Sequence, residues 1–499
     1  MDAIVLSRLH EDLTRRMAQL REDAPAVAAS RRRVEQKLVK DRPIYGINTG
    51  FGALAGKRID GGRLAELQRN LLLSHACGTG DPLRPDLTRL MLQLKIHALA
   101  LGFSGISEAV FDQLLALDEH DITPFVPSRG SVGASGDLAP LAHMSLPLIG
   151  AGLVWKPDLS GPESASVALR RAGLAPVELA AKDGLALING TQMMAACGAM
   201  VLHRCIRLVK AADILGAMSL EALQGSAKPF DPRIHALRPH QGQTRSADNI
   251  RRLLDKSEIL ESHRHCGKVQ DPYSLRCIPQ VHGASRDALA YAGGVVECEI
   301  NSVTDNPLVF EDEIVSGGNF HGQPLALALD FAAIALAELA GIAERRTYLL
   351  LAGHDGLPAL LMTDTGINSG FMIPQYTSAA LVSENKILCH PASVDSIPTS
   401  LGQEDHVSMG SISALKLLAV LRNVEQVMAV EMLTAAQALD FRVPLRPGRG
   451  VEVAHATVRQ SVRHAVQDYE VGTDIEECAR LLRENHLLDA VEDATGTLA

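Results

Sequence analysis

Apolar residues recur at helical spacing along most of this chain, and polar, glycine-rich stretches separate the periodic runs. Residues 1–40 predict one or two charged, amphipathic helices. Helical periodicity returns in the run that ends at Leu71-Leu72-Leu73, then over 86–101 and over 138–153. Pro124 and Pro127 break the chain between the last two. A turn at 182–192 opens a longer pattern that reaches about Leu223, and Ala/Leu-rich stretches at 280–300, 325–350 and 411–440 predict three more long helices. Segment 325–342 comes nearest to a membrane span. Asp330 and Glu338 interrupt it, which predicts a buried core helix instead.

The polar stretches are 45–52, 130–141, 155–163, 268–277, 301–307 running into 316–321, and 403–409. The Pro- and Gly-containing 155–163 segment predicts a surface excursion. Long helices joined by dense polar loops describe a mainly α chain, a helical bundle with its chemistry at the helix ends. These loops lie hundreds of residues apart, so a single site requires them to converge, by folding or across subunits. The main boundary is placed at 197/198, dividing a mixed N-terminal domain, 1–197, from a chiefly helical domain, 198–499.

Composition sharpens this picture. Hydrophobic residues make up 46% of the chain but aromatics only 3%, so the apolar set is largely Ala and Leu. That favours closely packed helices over a sheet of Val, Ile and Tyr. A net charge of −10 argues against a nucleic-acid partner, and no basic run marks an anionic membrane surface. The cysteines are scattered with no CxxC pair, which suits reduced thiols in the cytoplasm, with neither a disulfide framework nor a zinc site. Asp2, Glu11 and Asp12 lie among the first apolar residues, so the start is not read as a secretory signal.

The most informative stretch is Gly130-Ser131-Val132-Gly133-Ala134-Ser135-Gly136-Asp137-Leu138-Ala139-Pro140-Leu141. It offers no metal-type cluster and no phosphate-loop lysine. The plainer reading is a glycine-rich turn in which Ser135-Gly136-Asp137 caps the following helix. A sharp bend at an Ala-Ser-Gly triplet permits more. The Gly136 nitrogen can close a five-membered ring on the Ala134 carbonyl carbon. Loss of two waters, one from the Ser135 hydroxyl, then leaves an exocyclic methylidene, a carbon electrophile that no side chain supplies. Elsewhere, Tyr45 stands among three glycines as a half-buried phenol. His75 sits on an apolar helix, where a satisfied core histidine is the commoner case. Arg276 lies in a Tyr-Ser-Leu-Arg-Cys context too apolar for a surface ion pair.

The triplet run resembles the signature of the aromatic amino acid ammonia-lyases, which build 4-methylidene-imidazol-5-one from it. The loops from about Tyr45 to Leu439 look like the histidine-specific members of that family. The resemblance implies a fumarase/aspartase-like superhelical core, the second domain supplying substrate-binding loops and oligomer core. It also implies a homotetramer with active sites shared between subunits, and no metal. Ala134, Ser135 and Gly136 resemble the cofactor precursor. Asp137 would assist ring formation, Asn189 would hydrogen-bond the ring oxygen and touch substrate, and Phe320 would pack beside the ring. Tyr45 matches the residue that takes the β-proton, with Tyr273 close by. Arg276 matches the clamp on the substrate carboxylate, with Gln270 also among the substrate contacts.

Substrate choice rests on Ser74-His75 and Glu404, where phenylalanine-specific relatives resemble Phe-Leu and Gln; Met372 also fits the histidine type. A substrate imidazole has two ring nitrogens to satisfy, and Glu404 and His75 can serve them. A phenyl ring would leave both groups unpaired, at roughly 1–3 kcal/mol for each buried group. The activity implied is non-oxidative deamination of L-histidine to trans-urocanate and ammonia. An aminomutase, or a lyase for another aromatic or modified histidine substrate, is the alternative. One departure is Gln323, where family members often carry Glu.

Overall fold

Helices form where the Ala/Leu periodicity predicts them. The computed structural model describes residues 2–38 and 44–499. Leu9–Glu22 and Pro25–Leu38 are the two N-terminal helices; the remainder of the 1–40 expectation, Met1 and residues 39–40, lies outside the described residues. Pro85–Ala100 also opens on a proline, at the one helical position where a missing N–H leaves no bond unmade. Four long helices follow: Gln192–Ala222, Ile278–Ile300, Gln323–Leu351 and Gly410–Asp440.

The 138–153 expectation needs correction. The α-helix is only Leu138–Ser145, followed by a 3-10 turn, Leu146–Ile149, and a strand, Leu153–Trp155. Pro147 removes a backbone donor, and Gly150 turns left-handed at φ 72°, which ends the helix. Leu153–Trp155 pairs antiparallel with Pro162–Ser164, so the predicted excursion at 155–163 is largely the exposed tip of a small hairpin.

The chain divides into two compact units. The first comprises Met1–His203, Gly293–Asp330 and Pro391–Leu415; the second comprises Arg204–Ala292, Phe331–His390 and Lys416–Ala499. Both draw on segments C-terminal to the 197/198 boundary. All three antiparallel strand pairs among the described residues belong to the first unit: Thr79–Pro82 with Pro127–Arg129, the hairpin above, and Leu308–Val309 with Ile314–Val315. Buried Val34, Ile47, Ala181 and Val309 pack together there. A buried ion pair between Lys182 and Asp305, at 3.1 Å, fixes the turn that leads toward Asn189. Ser104 adds a 3.0 Å bond to the same carboxylate, so the buried charge has satisfied partners.

In the second unit Arg346 lies wholly buried against Glu431, and Asp213 accepts from His282 at 2.7 Å and from Arg286 at 2.6 Å. The C-terminal helices Arg449–Arg459 and His486–Thr495 pack on each other. Gln323–Leu351 is long and apolar enough to cross a membrane by length and composition alone, yet Leu325, Ala326, Leu329, Leu336 and Leu339 are buried in protein. Asp330, one of the two interrupting acids, accepts from the Ser393 N–H at 2.8 Å.

Candidate active site

Gly136 sets the shape of the triplet loop. Its φ is +77°, and a Cβ there would lie 1.9 Å from the Gly190 carbonyl oxygen, so no other residue fits without moving the backbone. The two glycines form a parallel bridge, and the Asp137 N–H donates to Gly190 O at 2.7 Å. Ser131 Oγ donates to Gly136 O at 3.3 Å, and Ser408 Oγ to Gly133 O at 3.1 Å. Ala134 is buried against Val407 and Met409.

Asp137 does not cap the helix that follows it, for Leu138–Ser145 has no side-chain cap. Its Oδ2 accepts from the Met193 and Met194 N–H groups at 2.9 and 3.0 Å, in the first turn of Gln192–Ala222. Its Oδ1 accepts from Ser411 Oγ at 3.1 Å. A carboxylate placed there meets unpaired amides and the positive end of the helix dipole. Complete burial still outweighs these donors and pushes its pKa up to about 7.

Asn189 Nδ2 donates to the Ser135 carbonyl at 3.1 Å, while Asn189 Oδ1 is buried without a partner among the described residues. The Asn189 main-chain carbonyl accepts from Lys95 Nζ at 2.8 Å. Lys95 is wholly buried, and that burial pulls its pKa down to about 7. Sequence reasoning passed it over, although a lone cation within the apolar run Leu94-Lys95-Ile96 was a signal.

Glu404 reaches the triplet directly. Its Oε1 accepts from Ser135 Oγ at 2.9 Å and its Oε2 from Thr399 Oγ1 at 2.8 Å. Thr399 and Glu404 also exchange backbone hydrogen bonds, at 2.9 and 3.3 Å. The loop they close holds Ser400 and Leu401 at φ 53° and 56°. Non-glycine residues in that region cost about 1–3 kcal/mol each, which marks a geometry the surroundings impose.

The remaining predicted residues of this unit gather around these loops. Tyr45 Oη accepts from the Gly52 N–H at 3.3 Å, and the neighbouring Ala53 N–H donates to Ser400 Oγ at 3.4 Å. Burial lowers the pKa of His75, with the Leu71 carbonyl and the charge of Glu404 acting the other way. Phe320 is half-buried. Two residues on, a Cβ on Gly322 would lie 2.5 Å from Met194 Cε and 3.2 Å from Ser408 Oγ, so that turn packs against the triplet's own braces. His321 Nδ1 accepts from the Gln323 N–H at 3.3 Å, which leaves its proton on Nε2 to donate to the His406 carbonyl at 3.1 Å.

The other predicted residues lie in the second unit. Gln270, Tyr273 and Arg276 line one open cleft, with the Arg276 guanidinium 4.8 Å above the Tyr273 ring. Arg276 Nε is buried without a partner among the described residues, and Tyr273 is 72% exposed. Met372 starts the helix Met372–Leu388 and is half-buried.

A largely helical chain that bends an Ala-Ser-Gly loop around two glycines, with an amide on the serine carbonyl and a carboxyl on its hydroxyl, defines a class. The chain belongs to the aromatic amino acid lyase family, whose sequence profile matches residues 7–460. It is 55% identical over 464 residues to the histidine ammonia-lyase of Sorangium cellulosum, spanning 91% of this chain and 90% of that relative. The solved histidine ammonia-lyase of Trypanosoma cruzi aligns at 42% identity with a TM-score of 0.88, covering 95% of this chain and 89% of that one. Tyrosine aminomutase from Streptomyces globisporus aligns at 36% identity with a TM-score of 0.92, covering 100% and 99%. The mainly α expectation is met, in the helical fold of these lyases.

Proposed function

We propose that this protein deaminates L-histidine without oxidation, giving trans-urocanate and ammonia. The contact set on Ser135 carries the reading: an amide donor on its carbonyl and a carboxyl on its hydroxyl, at 3.1 and 2.9 Å. The likeness to histidine ammonia-lyases supports the substrate.

The residues fit the implied cofactor. Ala134, Ser135 and Gly136 would form 4-methylidene-imidazol-5-one, which supplies a carbon electrophile for the substrate amine. Gly136 holds the bend at positive φ. Asn189 Nδ2 donates to the Ser135 oxygen and would be in place to stabilise negative charge there. Asn189 Oδ1, lacking a partner among the described residues, would accept from the substrate's amino group. Arg276 takes the substrate carboxylate with its planar fork, and the Tyr273 ring beneath it fixes that plane. Tyr45 Oη takes the β-proton; the Gly52 N–H aimed at it holds the oxygen in place. Glu404 and His75 serve the imidazole nitrogens, and Gln270, Met372 and Phe320 line the site.

A homotetramer with shared sites is part of this proposal. Exposed Leu327, Phe331 and Ile334 recur along one face of Gln323–Leu351 and support an apolar subunit contact. In such an assembly, residues of one chain's second unit can serve another chain's site. The scatter of the cysteines along the chain, with no CxxC pair, supports a reducing, cytoplasmic compartment.

Purified protein assayed against histidine, tyrosine and phenylalanine by ultraviolet absorbance should release urocanate from histidine. Preference for either other amino acid would overturn the substrate assignment. The likeness to an aminomutase gives a second reading, separated by product analysis: a β-amino acid rather than an unsaturated acid.

A further inference from the structure

Glu404 has a partner before any substrate arrives. Ser135 is encoded as a serine, and its hydroxyl is the group that must leave when the triplet becomes an electrophile. Its oxygen lies 2.9 Å from Glu404 Oε1, a contact that runs from the carboxyl to the hydroxyl when Glu404 carries a proton there, and it has no other hydrogen-bond partner among the described residues. The carboxyl cannot easily swing away. Thr399 Oγ1 holds Oε2 at 2.8 Å, and the paired backbone of residues 399 and 404 closes the loop beneath it. The other acid near the triplet, Asp137, is turned toward Met193, Met194 and Ser411.

We propose that Glu404 is the proton donor for loss of the Ser135 hydroxyl, and so a catalytic residue in making the cofactor as well as in using it. The inference rests on the reading that the triplet cyclises. Two waters leave in two separable steps. In the first, the Gly136 nitrogen bonds to the Ala134 carbonyl carbon. The Ala134 oxygen departs as water with the protons of the Gly136 and Ser135 amides. In the second, the Ser135 Cα–H bond breaks and its electron pair forms the Cα–Cβ double bond. The Cβ–O bond breaks, and the oxygen leaves as water carrying a proton from Glu404. The proton released at Cα balances the one Glu404 gives, so neither oxidant nor reductant is needed. Hydroxide is a poor leaving group, and an acid within hydrogen-bond reach is what the step lacks otherwise.

This role predicts a product that a merely structural Glu404 would not. The peptide spanning 130–146 from purified wild type should be two waters lighter than its sequence. From Glu404→Ala and Glu404→Gln it should be mainly one water lighter, the ring closed with the hydroxyl retained. Circular dichroism should match wild type in both variants. Formate added to Glu404→Ala should convert the one-water species onward, which relief of a folding defect would not produce. Thr399→Ala, which frees the carboxyl without removing it, should show the same species in smaller amount. If both Glu404 variants lose two waters as fully as wild type, the donor role is overturned and cyclisation stands. Variant peptides at full mass would also overturn it, since Glu404 would then act before the hydroxyl leaves. A wild-type peptide at full mass would overturn the cyclisation itself, and this proposal with it.

Discussion

At the scale of single residues, Lys95 shows how far a buried charge reaches. Its ammonium bonds to the Asn189 carbonyl, and Asn189 in turn bonds to Ser135. Burial depresses its pKa from 10.5 to about 7, so the folded protein binds its proton less readily than the unfolded chain. The stability this residue contributes is therefore present above pH 10.5 and is lost as pH falls through about 7. Lys95→Met should remove that slope: the Tm of wild type minus that of the variant should decrease between pH 10 and pH 7. A pH-independent difference would refute the assignment. Arg276 makes a second test. Arg276→Lys keeps the charge and loses the fork; losing one charged hydrogen bond, at about 1.5–3 kcal/mol, should lower kcat/KM for histidine about ten- to hundred-fold. Near-normal kcat/KM in the lysine variant would move the carboxylate clamp to another residue.

At the scale of elements, the triplet loop and the start of Gln192–Ala222 act as one piece, joined by the Gly136–Gly190 bridge and the Asp137 carboxylate. Gly136→Ala places a methyl on the Gly190 carbonyl and an L-residue at left-handed φ. The backbone strain alone is about 1–3 kcal/mol. We expect a lower Tm and a 130–146 peptide at full mass; a peptide two waters lighter would show that the loop tolerates the shift. What the sequence disclosed at this scale follows from range. Helix periods, the proline breaks and the glycine-rich bend at the triplet are local, and they were legible. The partners of Asp137 are amides 56 and 57 residues on, and Glu404 lies 269 residues from Ser135. No local pattern encodes such pairs. The resemblance named Asp137 and Glu404 but not the bonds they make, and Lys95 and Thr399 escaped notice. Likewise, a boundary drawn along the chain could not show segments 293–330 and 391–415 joining residues 1–203.

At the scale of the whole molecule, the exposed apolar face of Gln323–Leu351 is the feature a lone chain leaves unexplained. Phe331 is 44% exposed and meets Tyr291 edge-on at 6.0 Å. Phe331→Glu places a charge on that face, at a cost far above that of an exposed substitution if a partner subunit covers it. Light scattering should report four chains for wild type and fewer for the variant, with histidine turnover falling alongside. A variant that stays tetrameric would place the subunit contact elsewhere.

The distance in sequence between Ser135 and Glu404 also sets a clock. A ribosome adding about 5–20 residues per second reaches residue 404 roughly 15–50 s after it has made the triplet, 269 residues earlier. Ser411, which steadies Asp137, emerges later still. Until then the nascent chain carries an ordinary serine. Under the proposed donor role of Glu404, a polypeptide abandoned before the 391–415 segment lacks the acid at the hydroxyl and would not display a reactive carbon to the thiols and amines of the cell. The order of synthesis would then be a safeguard, in which a chain is armed only after residue 404 has been made.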